Sequence, residues 1–143
     1  MPTKLSVVVV AAGLLMVLAA VPAVAHHSFA AEFDAAQPVT LNGTVTMMEW
    51  INPHAWIHLD VKKPDGTVEN WAVETGNPSA LVRRGFTKNS LPSGTEITVQ
   101  GYRAKDGGLR ANGRDLTFKN GKKLFVGSSG TGAPDERPES ESR

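Results

Sequence analysis

Four histidines and three tryptophans carry most of the chemistry this sequence can offer. The histidines fall in two pairs, His26-His27 and His54/His58. The second pair shares the stretch Trp50-Ile51-Asn52-Pro53-His54-Ala55-Trp56-Ile57-His58-Leu59-Asp60-Val61 with two of the tryptophans. A histidine at a free N-terminus chelates Cu(II) through its amine and its ring Nδ1. A further imidazole then completes a tetragonal set of nitrogen donors, the arrangement that suits Cu(II). His26 gains that amine only if the chain is cleaved after Ala25. His54 and His58 lie four residues apart on a predicted strand, about 13 Å at strand rise, too far to share one ion unless the chain bends. Glu74, placed opposite Trp56 by the pairing below, sits diagonally from each, about 7–8 Å away and within side-chain reach. The predicted metal ligands are therefore His26, His27, His54 and Glu74. The strand separation ranks His58 behind them.

Plainer roles exist for the same residues. Any chain starting His-His binds copper weakly in a test tube. His54, following Asn52-Pro53, can cap a turn, and His58 with Asp60 can form a solvated strand face. Trp71 falls on an inward face and reads as core. Trp56 falls on the polar face, where an indole can stack on a sugar or a partner, or be covered by the N-terminal segment or the helix. Arg83 and Arg84 suit helix-end carbonyls. Catalytic residues are not predicted: Ser28, Ser79, Ser90 and Ser93 lie in no nucleophile elbow, and no loop cradles phosphate.

The elements that must position these residues are strands. Ala55, Ile57, Leu59 and Val61 alternate with His54, Trp56, His58 and Asp60, the period-2 pattern of a half-buried strand. Before it, Val39, Leu41, Gly43, Val45 and Met47 alternate with threonines and Asn42. After it, Lys63-Pro64-Asp65-Gly66-Thr67 suits a type I turn with a bulge. Pairing Lys63 with Thr67 sets Ile57 opposite Val73, Leu59 opposite Trp71, His58 opposite Ala72 and Trp56 opposite Glu74. A slip of one residue would mix the apolar and polar faces. Asn77-Pro78 opens a helix of about two turns that Gly85 closes. Ile97 and Val99 mark a fourth strand ending near Tyr102. Asp106-Gly107, Asn112-Gly113 and Asn120-Gly121 signal three hairpin turns around strands centred on Leu109, Leu116 and Leu124-Phe125-Val126.

The ends of the chain read differently. Lys4, the apolar run Val7 to Ala20 and Ala23-Val24-Ala25 form a signal peptide, 1–25, with its cleavage site. The predicted location is the periplasm or the exterior, with no stable membrane anchor after cleavage. Residues 26–38 form an N-terminal segment in which Phe29 and Phe33, four apart, suit a short docking turn, and Pro38 ends it. Residues 128–143, rich in Ser, Gly, Pro and charge, are predicted disordered. The chain carries 15 basic and 14 acidic residues, and removal of Lys4 with the leader leaves them balanced. That balance excludes a nucleic-acid partner, which needs a basic face. With no cysteine, disulfides, thiolate metal sites and cysteine nucleophiles are excluded.

Strand–strand–strand–helix–strand–strand over residues 39–127 predicts an all-β domain with one short helix, an OB-like five-stranded barrel, with a small β-sandwich as the alternative. The motifs His26-His27-Ser28-Phe29, Gly43-Thr44-Val45, Trp50-Ile51-Asn52-Pro53-His54, Trp71-Ala72-Val73-Glu74, Gly76-Asn77-Pro78 and Leu81-Val82-Arg83-Arg84-Gly85 stand in this order along the chain. Gly101-Tyr102-Arg103-Ala104-Lys105-Asp106-Gly107 and Ala111-Asn112-Gly113-Arg114 follow them. In these the chain resembles a family of small exported bacterial proteins carrying a domain of unknown function. The resemblance implies a signal peptide and an OB-like barrel, and no activity. The expectation is an exported binding domain for a divalent metal, copper first. Its alternative is a metal-free module that takes a protein, peptide or glycan on the sheet face around Trp56.

Overall fold

The computed structural model describes residues 29–128 and 131–134. The predicted signal peptide, His26, His27 and most of the predicted disordered tail lie outside the described residues. A helical turn, α1 (Phe29–Glu32), leads into β1 (Phe33–Glu49), β2 (Trp56–Lys62) and β3 (Val68–Glu74). A short helix α2 (Pro78–Arg83) follows, then β4 (Glu96–Ala104), β5 (Arg110–Phe118) and β6 (Lys123–Phe125). All pairings are antiparallel except a short parallel one between β3 and β5. That contact closes five strands into a ring, β1–β2–β3–β5–β4 and back to β1, with β6 added outside β5. This is the OB-like order, with α2 between the third and fourth strands. Among the described residues no helix is long and apolar enough to cross a membrane.

The β2–β3 hairpin has the register its alternation predicts. Trp56 opposes Glu74, Ile57 opposes Val73, His58 opposes Ala72 and Leu59 opposes Trp71. Lys63 and Thr67 close it through Lys63 N–H to Thr67 O, 2.8 Å, and Gly66 takes the left-handed φ of 88°. Asp65 accepts from both the N–H and the hydroxyl of Thr67, and these bonds hold its carboxyl below the usual aspartate value. The helix is capped as its residues dictate. Asn77 accepts from Ala80 N–H, and Pro78 takes the first turn. At the other end Gly85 N–H bonds Val82 O and Phe86 N–H bonds Leu81 O, the Schellman pattern. Leu41, Val45, Ile57, Leu59, Trp71, Val73, Leu81, Phe86, Val99 and Leu116 fill the ring.

Four local expectations change. Pro38 does not end the first segment: β1 starts at Phe33, six residues before the predicted boundary at 39, and runs through Pro38 with an irregular register against β4. Pro is tolerated because the strand lacks a second neighbour there. Second, the register of β1 against β2 slips between Val45 and Met47, so Met48 packs on the core and Met47 is left exposed. Third, Asn112-Gly113 is no turn; it lies inside β5, which joins the strands expected around Leu109 and Leu116. Gly113 is needed there because a Cβ would meet Val73 Cγ1 at 2.7 Å. Fourth, Ser128, Thr131 and Ala133, in the segment predicted disordered, are buried. Ala133 joins Phe29, Phe33 and Ala104 in a small second core, and Phe29 N–H bonds Thr131 O at 2.9 Å.

Candidate functional site

The β3 end, the loop before β2, β5 and the segment after β6 meet at a buried polar cluster. Ala55 bridges the first two, its N–H bonding Gly76 O and its carbonyl accepting from Thr75 N–H. His54, just ahead of it, is only 5% exposed. Its Nδ1 lies 3.2 Å from Thr75 O and 3.2 Å from Ser128 Oγ. A carbonyl only accepts, so Nδ1 carries the proton and Nε2 bears the lone pair in the neutral ring; the tautomer is assigned from the partners. Ser128 Oγ donates to the same carbonyl at 3.2 Å, and Thr75 Oγ1 donates to Ala55 O at 2.9 Å.

Glu74, expected on an open polar face, is 2% exposed and accepts from Asn112 Nδ2 at 3.3 Å. The parallel pairing explains this, since it sets Glu74 beside Asn112 across the closing seam of the ring. Arg114, also buried, donates from Nη1 to Ser128 O at 3.3 Å and lies 4.8 Å over the Phe125 ring. Arg84 lies 5.0 Å over the same ring and donates from Nη1 to Gly127 O at 2.7 Å. Its predicted helix-end role gives way to this bond with the C-terminal segment. Carbonyls and an aromatic face offset the desolvation of the two cations. Gly127 fits between them because a Cβ would lie 2.6 Å from Arg114 Nη1.

The predicted ligands therefore fall in three places. His54 and Glu74 are both buried in this cluster, His54 against Thr75 O and Glu74 against Asn112. His58 does not: it lies on the outer face of the sheet, its Nε2 2.7 Å from Glu49 Oε2. His26 and His27 lie outside the described residues. Among the described residues, no three His, Cys, Asp or Glu side chains gather as a metal-holding group. Trp56 is half-buried at the start of β2. Trp71 is core, with its Nε1 donating to Glu69 Oε2 at 3.0 Å and the Arg103 guanidinium 5.4 Å over its ring. The Trp71 bond, with the Lys63 ammonium beside it, holds the Glu69 carboxyl below its usual value.

Sequence reasoning missed Thr75, Asn112, Arg114 and Ser128. Asn112 and Arg114 carry a signal in hindsight, a polar pair flanking a glycine that faces the core. Ser128 carries none, because nothing in a Ser/Gly stretch distinguishes a buried hydroxyl. Compared with known proteins, the chain matches the model of a family of unknown function (DUF6152) over residues 13–113. No curated protein and no solved structure matches it.

Proposed function

The chain belongs to the family of unknown function DUF6152, and from its own residues we propose that it is an exported OB-like binding domain for one divalent metal ion, copper first. Its donors are the amine and ring of His26 at the processed N-terminus and Nε2 of His54, with His27 and Glu74 as the further candidate ligands. The observation that carries this reading is a tie between the two ends of the described chain. Ser128 Oγ touches His54 Nδ1, and three residues later Thr131 O accepts from Phe29 N–H. Three residues span at most about 10 Å. His26 is itself three residues before Phe29, so a chain leaving Phe29 has the length to bring the terminal amine to His54. The Nδ1–H bond to Thr75 O also supports it, because histidine ligands commonly donate their second ring nitrogen to a carbonyl.

The test is Cu(II) titration of protein whose intact mass begins at His26. One equivalent should bind at least tenfold more tightly than to a variant with Gly placed before His26, which moves the amine away from its chelating ring. His54→Gln should weaken binding as well. Acid should release the ion as the imidazoles protonate, with the free group near pKa 6.5. Equal affinity of native and Gly-extended protein would refute the amine chelate. Equal affinity after His54→Gln would leave a bare His-His chelate and shift the reading to the metal-free module around half-buried Trp56. That module would lose its ligand on Trp56→Ala with copper uptake unchanged.

A further inference from the structure

We infer that the outer face of the β1–β2 hairpin carries a second, separate site, for a soft monovalent cation of the Cu(I) or Ag(I) class, with Met47 and His58 as its ligands. The inference is independent of the reading above, since it uses other residues and another oxidation state.

It starts from the slip in β1. Without it Met47 would continue the inward parity of Leu41 and Val45. The register shift between Val45 and Met47 hands the core position to Met48 and turns Met47 outward, 49% exposed. Bulges re-aim side chains in this way. The residue it now opposes on β2 is His58. Directly opposed Cβ atoms lie about 4.5–5.5 Å apart, so the thioether and the imidazole are within reach of one ion. Both line one shallow depression of about 320 Å³ with Thr46, Asp60, Asn70 and Ala72.

Glu49, two residues further along β1, sets the histidine's chemistry. Its Oε2 lies 2.7 Å from His58 Nε2, and a carboxylate accepts, so the proton sits on Nε2 and Nδ1 holds the lone pair. A histidine held by a carboxylate through its other nitrogen is the arrangement that orients metal ligands. A thioether with a neutral imidazole selects soft cations and has little to offer Mg²⁺ or Ca²⁺. Monovalent copper and silver accept two or three donors, so the small donor count suits them.

The experiment uses Ag(I), which stays in one oxidation state, in chloride-free buffer, with 13C-labelled methionine methyls and 15N-labelled histidine. One equivalent should shift the Met47 methyl and the His58 ring signals and leave the core-packed Met48 methyl in place. Met47→Leu, read at His58, and His58→Gln, read at Met47, should each weaken binding at least tenfold. Both positions are partly exposed, so both variants keep the fold. His54→Gln should leave the Met47 shift unchanged, which separates this site from the Cu(II) reading. An unmoved Met47 methyl, or full affinity in Met47→Leu, would overturn the inference.

Discussion

Leu59 has no exposed surface and stands between Val45 and Trp71 in the ladder, so both of its cross-strand neighbours are apolar. Leu59→Asp therefore buries a carboxylate with no partner, at a cost of several kcal/mol. Set against a domain stability of about 5–15 kcal/mol, that change should leave the protein largely unfolded. His58→Gln, one residue away, removes a half-exposed contact with Glu49 and should cost within about 1 kcal/mol. Denaturant melts of the two variants check this, and the reverse order would mean the faces of β2 are assigned the wrong way round. At this scale the sequence was legible wherever alternation decides the side, as for Ile57, Leu59 and Val73. It was silent on what lies over that side. Glu74 reads as polar and outward from its position, yet the β3–β5 seam buries it against Asn112. Met47 reads as inward, and only the slip in register reverses it.

The hairpin shows how far one element can be read from its own residues. Its register follows from the demand that one face be apolar, and its turn from Asp65-Gly66. The β5 strand resisted the same treatment. Asn112-Gly113 has the composition of a turn, but tertiary packing against Val73 claims the glycine for a strand. The turn makes a prediction of its own. Asp65 accepts two bonds from Thr67, and these lower its pKa from the ordinary 3.8. A carboxyl depressed in the folded state contributes stability that is present above the unfolded value and lost as pH falls through the folded one. The Asp65 carboxyl signal should accordingly titrate below 3.8, and the Thr67 amide should lose its protection over the same acidic range. In Thr67→Ala, which removes the larger hydroxyl bond, the midpoint should move back up. A midpoint at or above the ordinary value in the native protein would mean the turn bonds do not form in solution.

At the scale of the whole molecule, the two ends of the described chain meet: Phe29 N–H bonds Thr131 O in the segment after β6. Low hydrophobic content is a sound guide to disorder when burial requires large side chains. Here small residues are buried instead: a Cβ on Gly127 would meet Arg114 Nη1 at 2.6 Å, Ser128 is buried, and Ala133 packs in the second core with Phe29 and Phe33. The segment supplies Gly127 O to Arg84, Ser128 O to Arg114, Ser128 Oγ to His54, and Thr131 O to Phe29 N–H. A neutral hydrogen bond contributes about 1 kcal/mol and one from a charged donor about 1.5–3, so removing two of each should cost about 5 kcal/mol or more. Truncation after Val126 tests this. For a domain of this size each kcal/mol is worth about 4–8 °C, so the melting temperature should fall by more than about 10 °C. Hydrogen exchange should localise the loss. The Phe29 amide should become unprotected, while the Ile57 and Val73 amides of the β2–β3 ladder keep their order relative to one another. The loss should also reach His54, whose ring would keep Thr75 O but lose Ser128, so copper uptake at the N-terminal site should weaken together with Phe29 protection. A truncated protein that melts within about 2 °C of the native one would show that the segment merely lies on the ring, and the tie between position 29 and His54 would no longer support the metal reading.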